Sequence, residues 1–203
     1  GGGYIYDVPE IILFTLALTS LINGNLKSYY LLFILAIFNK ETGILLMLYF
    51  IPIAWKKMSF KAFSLHSLGQ TIIGISTIGA IRIIFLHNPG EHMQMNLMQN
   101  IAFLTTPSSY FLLQHVTAYL IPLPRGFNIL NILLFSGLIG YDWKSKAPLY
   151  KQMLILTSIA FIPLFLIGGN HDEIRVLSGL FPILLILGLQ SYQTLFKPHE
   201  NTH

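Results

Sequence analysis

The chain of 203 residues is 54% hydrophobic and only 10% charged, with a mean hydropathy of +0.65, which is too apolar for an ordinary water-soluble domain. Its formal charge of +4 comes from Lys and Arg scattered between apolar runs rather than gathered on one face, which argues against a nucleic-acid partner. The absence of cysteine excludes disulfides, thiolate metal sites and cysteine nucleophiles.

No basic stretch followed by a short apolar region and a small-residue cleavage site opens the sequence, so a removable signal peptide is not expected. Apolar runs lie near residues 9–23, 28–38, 43–55, 69–86, 109–123, 128–141, 152–168 and 176–190. They predict an all-α fold, a polytopic transmembrane helical bundle forming one domain over residues 1–203. Ahead of the first run stands Tyr4-Ile5-Tyr6-Asp7-Val8-Pro9-Glu10, with Asp7 suited to a cap and Pro9 to an early helical position. A capped helix start is the ordinary reading. Asp7 and Glu10, three apart, would also present two carboxylates on neighbouring helix faces.

The runs at 28–38 and 43–55 fall short of the roughly 20 residues a spanning helix needs. Around Asn39-Lys40-Glu41-Thr42 the sequence predicts either two short helices meeting at a recessed polar turn or one long helix with polar groups at depth. Either arrangement must shield those charges from lipid. Lys40 and Glu41 serve there as caps or internal pairs, or Lys40 holds an anionic group such as a lipid phosphate while Glu41 orients it or a sugar hydroxyl.

Further along come Arg82, His87, Glu91 and His92. Arg82 either snorkels at a helix end or contacts phosphate. Pro89 and Gly90 break any helical ligand spacing among His87, Glu91 and His92, so no metal is expected. The stretch Thr105 to Arg125 carries Pro107, Gln114, His115, Pro122 and Pro124. Finally, Gly168-Gly169-Asn170-His171-Asp172-Glu173-Ile174-Arg175 interrupts two apolar runs, as a solvated loop with a helix cap or as a turn whose Arg175 clamps phosphate.

Loop charge sets the topology. Lys27, Lys56, Lys57, Lys61, Lys144, Lys146, Lys151 and Lys197 fall in loops assigned to the cytoplasm, against Lys40, Arg82, Arg125 and Arg175 on the other side. Asp7, Glu10, Glu41, Glu91, Asp172 and Glu173 fall on that other side too, leaving Asp142 and Glu200 in the cytoplasm. Parity between residues 98 and 141 requires one segment that does not cross, and Thr105 to Arg125 reads as re-entrant or interfacial. About seven crossings remain, with the N-terminus outside and the C-terminus cytoplasmic.

Three of these pieces, Tyr6-Asp7-Val8-Pro9, Phe38-Asn39-Lys40-Glu41-Thr42-Gly43 and Asp172-Glu173-Ile174-Arg175, resemble a group of bacterial multi-pass membrane proteins. That group carries a Tyr-Asp-Leu-Pro start, an Asn-Arg-Glu-Thr turn and a late Glu-x-Arg, and is similar to the C-type (GT-C) membrane glycosyltransferases. Order and rough spacing match over most of the chain. Lys40 stands where the group has Arg, which keeps the charge but loses the planar fork. Members usually carry further helices before the Tyr-Asp motif, and the C-type transferases typically carry their catalytic acid in the first external loop. The resemblance therefore implies the C-terminal part of a longer protein, or a reduced member.

The resemblance also implies a bacterial inner-membrane glycosyltransferase working at the non-cytoplasmic face on a polyprenyl-phosphate-linked sugar donor. Asp7, Glu10 and Glu173 would be its catalytic carboxylates, and Asn39, Lys40, Glu41, Arg82, Asp172 and Arg175 its substrate-binding residues, with no cofactor. The rival expectation is a non-catalytic integral membrane subunit of a larger membrane-protein complex. A transporter would need broken helices at the midplane in both halves, and only the region of Asn39 shows one.

Overall fold

Asn23-Gly24-Asn25 separates the first two apolar runs, and in the computed structural model it turns the chain back on itself. Residues 7–87, 95–115, 122–124, 126–170 and 174–196 are described. Helix α1 (Asp7–Ile22) carries both its acidic residues in the first turn, where the helix dipole favours carboxylates. At Gly24 φ reaches +72°, a value that favours a residue without Cβ. Asn25 then caps α2 (Leu26–Asn39), its side chain accepting from the Ser28 amide at 3.1 Å. The two helices form an antiparallel hairpin, so Glu10 and Lys40 meet at one end of it.

Of the two arrangements open for the next stretch, the chain adopts the two-helix one. Lys40 is extended (φ −160°, ψ 134°), a 3₁₀ turn spans Glu41–Leu46, and α3 (Met47–Lys57) follows. Ser59 caps α4 (Phe60–Ile84) by accepting from the Ala62 amide at 3.3 Å. The run expected at 69–86 is thus the later part of a longer helix that starts at Phe60.

In the run at 109–123, part of the stretch read as re-entrant or interfacial, the described residues are not α-helical, and prolines flank and interrupt them. Pro107 opens a 3₁₀ turn (Pro107–Phe111), and β1 (Leu113–His115) pairs antiparallel with β2 (Pro122–Pro124), where two residues lack an amide to donate. A short helix the sequence did not announce, α5 (Leu97–Thr105), precedes them. Beyond them come α6 (Ile129–Gly140), α7 (Pro148–Gly168), a 3₁₀ turn (Ile174–Leu180) and α8 (Phe181–Leu195).

Apart from that short ladder, the described elements are helical. Three segments, Phe60–Ile84, Pro148–Gly168 and Val176–Leu195, are long and apolar enough to cross a bilayer. The core joins α1, α2, α3, α7 and α8 through Phe14, Tyr29, Phe33, Tyr49, Phe161 and Ile183. Outward-facing Leu65, Leu68, Ile72 and Ile75 leave α4 with an apolar surface that suits hydrocarbon rather than water.

Two polar clasps tie the later helices together. Lys146, in a loop assigned from sequence to the cytoplasm, is buried, and donates to the Leu187 carbonyl at 2.6 Å and to Ser191 Oγ. Burial lowers its pKa from the ordinary ammonium value, with the Asp142 carboxylate pulling the other way. At the opposite end, Asn100 Nδ2 donates to the carbonyls of Phe165, Leu166 and Gly169 at 3.1, 3.0 and 2.7 Å, and Asn96 Nδ2 reaches Gly169 at 3.3 Å. Together they satisfy the Leu166 and Gly169 carbonyls at the end of α7 and share that of Phe165, which also accepts from the Gly169 amide. Asn100→Leu should destabilise the protein by about 1–3 kcal/mol, the cost of stranding buried polar groups. Amide exchange should rise first around residues 165–169; unchanged exchange there would show that the clasp is dispensable.

Candidate functional site

Glu10 sits on the first turn of α1 with only 1% of its surface exposed, a position where a carboxylate is costly unless paired and hydrogen-bonded. It has both. Lys40 Nζ lies 2.8 Å from Oε2, Thr42 Oγ1 donates to Oε1 at 2.8 Å, and Ser178 Oγ donates to Oε2 at 2.5 Å. These donors come from two separate breaks in helical structure. The extended residue after α2 presents Lys40, the turn after it presents Thr42, and the 3₁₀ turn before α8 presents Ser178.

Asp7, one turn earlier, approaches Lys40 Nζ at 3.4 Å. Its side chain is 14% exposed and that of Lys40 22%, so both remain closer to solvent than Glu10. On the outer side of the same end, Arg82 from the last turn of α4 meets Glu41 at 3.1 Å in an exposed pair, which contributes little to stability. Below Glu10, the Tyr49 hydroxyl donates to the Gly179 carbonyl at 2.5 Å, and its ring meets Phe14 edge-on at 5.8 Å. Gly179 is closely packed, since a Cβ there would overlap the Phe161 ring and lie 2.9 Å from Phe14 Cε1.

Of the residues expected from sequence, the fold therefore brings Asp7, Glu10, Lys40, Glu41 and Arg82 to one end of the bundle. Asn39 closes α2 beside them, half-buried. Asp172 and Glu173 lie outside the described residues, as do Glu91, His92 and Arg125. Arg175 has its backbone in the 3₁₀ turn that carries Ser178, and its side chain falls outside what is described. Sequence reasoning missed Ser178 and Tyr49, and quoted Thr42 without giving it a role. The pair Ser178-Gly179 interrupting an apolar run was the available signal.

Among the described residues of this cluster, three carboxylates face two cations, and each cation is in contact with a carboxylate. Any anion that reaches Lys40 must therefore compete with Asp7 and Glu10. A hydroxyl or a cation reaching Asp7 meets a carboxylate already held in place. Comparison with protein-family models, with curated proteins and with solved structures returns no match.

Proposed function

We propose that the chain is a membrane glycosyltransferase that moves a sugar from a polyprenyl-phosphate donor to an acceptor hydroxyl at the non-cytoplasmic face of the bacterial inner membrane. The observation that carries this reading is the meeting of Asp7 and Glu10, of Lys40 and Thr42, and of Ser178 at one end of an apolar bundle. An amphiphilic donor needs such a polar end, with its tail in hydrocarbon and its phosphate and sugar at the boundary.

In this reading Asp7 is the general base, because Glu10 is occupied by three donors and nearly closed to solvent. The acceptor oxygen attacks the anomeric carbon as its proton passes to Asp7. The bond from that carbon to the phosphate oxygen breaks, and polyprenyl phosphate leaves with the electron pair, inverting the centre. Arg175, Lys40 and Arg82 stabilise the departing charge. Asn39, Glu41 and Asp172 orient the sugar, and Glu173 is the reserve carboxylate.

The accompanying topology has seven crossings and a non-crossing segment after α4. It is supported by the links at Asn23–Asn25, at Met58–Ser59 and at residues 141–147, which lie at the end of the bundle away from Glu10. The lysines flanking them fit the cytoplasmic bias.

Asp7→Asn should lower sugar transfer by about 10²–10⁴-fold, the range of a lost general base, and Arg175→Ala should lower it too. Unchanged turnover in both, measured with a polyprenyl-phosphate sugar donor, removes the assignment. One observation favours a second reading, a non-catalytic membrane subunit: Glu10 and Lys40 satisfy one another as a purely structural clamp would. Stable co-purification with other membrane proteins and no bound lipid phosphate would favour that alternative.

A further inference from the structure

From His92 to Pro124 the sequence holds no Asp, Glu, Lys or Arg, yet it is rich in Asn, Gln, Ser and Thr. The described part of this stretch buries two asparagines and leaves several large apolar side chains exposed. Asn100 on α5 and Asn96 at its cap turn inward and bond to the end of α7, while Gln99, Thr105 and Thr106 stay exposed. The apolar residues turn outward: Met95 and Met98 are each 79% exposed, Phe111 in the following turn is 68% exposed, and Ile101, Leu112 and Leu113 are exposed as well. Water is a poor partner for such a surface.

The backbone sets the opposite limit. The 3₁₀ turn and the two-stranded ladder that follow α5 leave edge amides and carbonyls without ladder partners, and these are not tolerated in the hydrocarbon core. Apolar side chains that need hydrocarbon and edges that need water are reconciled at one depth only, the boundary between headgroups and acyl chains.

We propose that residues 95–115 form an uncharged foot resting on the bilayer at that boundary, with lipid acyl chains against Met95, Met98 and Phe111. Clasped to the end of α7, the foot sets the height of the bundle's polar end in the membrane. Its attachment is apolar rather than electrostatic, because it has no charge for anionic headgroups to attract. The inference depends on the bundle lying in a bilayer and not on any catalytic activity.

The native absence of cysteine makes the test direct. The full chain is reconstituted in bilayers with a nitroxide on a single introduced cysteine, M98C or F111C. The lipid reference is I159C, from an exposed position midway along α7, and the aqueous reference is K144C. Collision with oxygen and with a water-soluble nickel complex reports depth. Both foot positions should be more accessible to oxygen than K144C and more accessible to nickel than I159C, equally in zwitterionic bilayers and in bilayers containing anionic lipid. Nickel accessibility matching K144C would overturn the proposal, as would a depth matching I159C. So would shielding from both reagents, the sign of a protein partner or a second copy, or a depth that tracks anionic lipid content. Loss of transferase activity plays no part in the readout, so this proposal and the catalytic one can fail separately.

Discussion

Lys40→Ala should cost about 3 kcal/mol of stability, the low end of what breaking a buried ion pair costs, since Lys40 keeps part of its side chain in contact with solvent. The loss arises on the other partner. Without the ammonium, Glu10 keeps, among the described residues, the hydroxyls of Thr42 and Ser178, and its carboxylate is left without a counter-charge in an apolar setting. Glu10→Gln alone should cost less, because Lys40 retains Asp7 at 3.4 Å. Adding Glu10→Gln to Lys40→Ala should recover part of the loss, giving a coupling energy in the double-mutant cycle of about 1–3 kcal/mol. Unfolding in a mild detergent measures all four corners. Purely additive losses would mean that the two groups do not stabilise one another.

That clamp was half legible in the sequence, for a physical reason. A Lys beside short apolar runs cannot be left alone in lipid, so Lys40 announced a recessed partner. Asp7 and Glu10 stood out because carboxylates are scarce in this chain. Ser178 left only a faint signal: one hydroxyl beside a glycine in an apolar run carries almost no hydropathy penalty, and its acceptor lies far away in sequence, on α1. The same applies to α5, whose Asn96 and Asn100 look like ordinary polar residues until the end of α7 supplies their acceptors. Lys146 misled in the opposite direction. Loop lysines are normally solvated, and only the approach of α6 to α8, with Ser191 donating to the Leu138 carbonyl, creates the enclosed spot that holds its amine. Local signals such as Pro107 and Gly24 lie where helices stop, while the inward side of each polar residue depended on tertiary neighbours.

Gly43→Ala should be the most damaging of the conservative glycine changes, lowering stability by about 2–3 kcal/mol. A Cβ at this position would overlap the Ala36 carbonyl carbon and lie 2.5 Å from the Ala36 oxygen and 2.6 Å from the Ile37 amide nitrogen. All three atoms belong to the backbone of α2, so no flexible side chain can yield, and the 3₁₀ turn Glu41–Leu46 must lift away. Thr42 directly precedes Gly43, so the lift strains the 2.8 Å bond from Thr42 to Glu10 and draws Lys40 with it. Gly137→Ala in α6 is the matched control. Nothing lies within 4 Å of a Cβ there, and removing a helix-interior glycine should gain about 0.5–1 kcal/mol. Opposite signs for the two substitutions are expected, along with weaker Lys40–Glu10 coupling in the Gly43→Ala background. If the two behaved alike, the close approach of the turn to α2 would be wrong, and with it the route by which Lys40 and Thr42 reach Glu10.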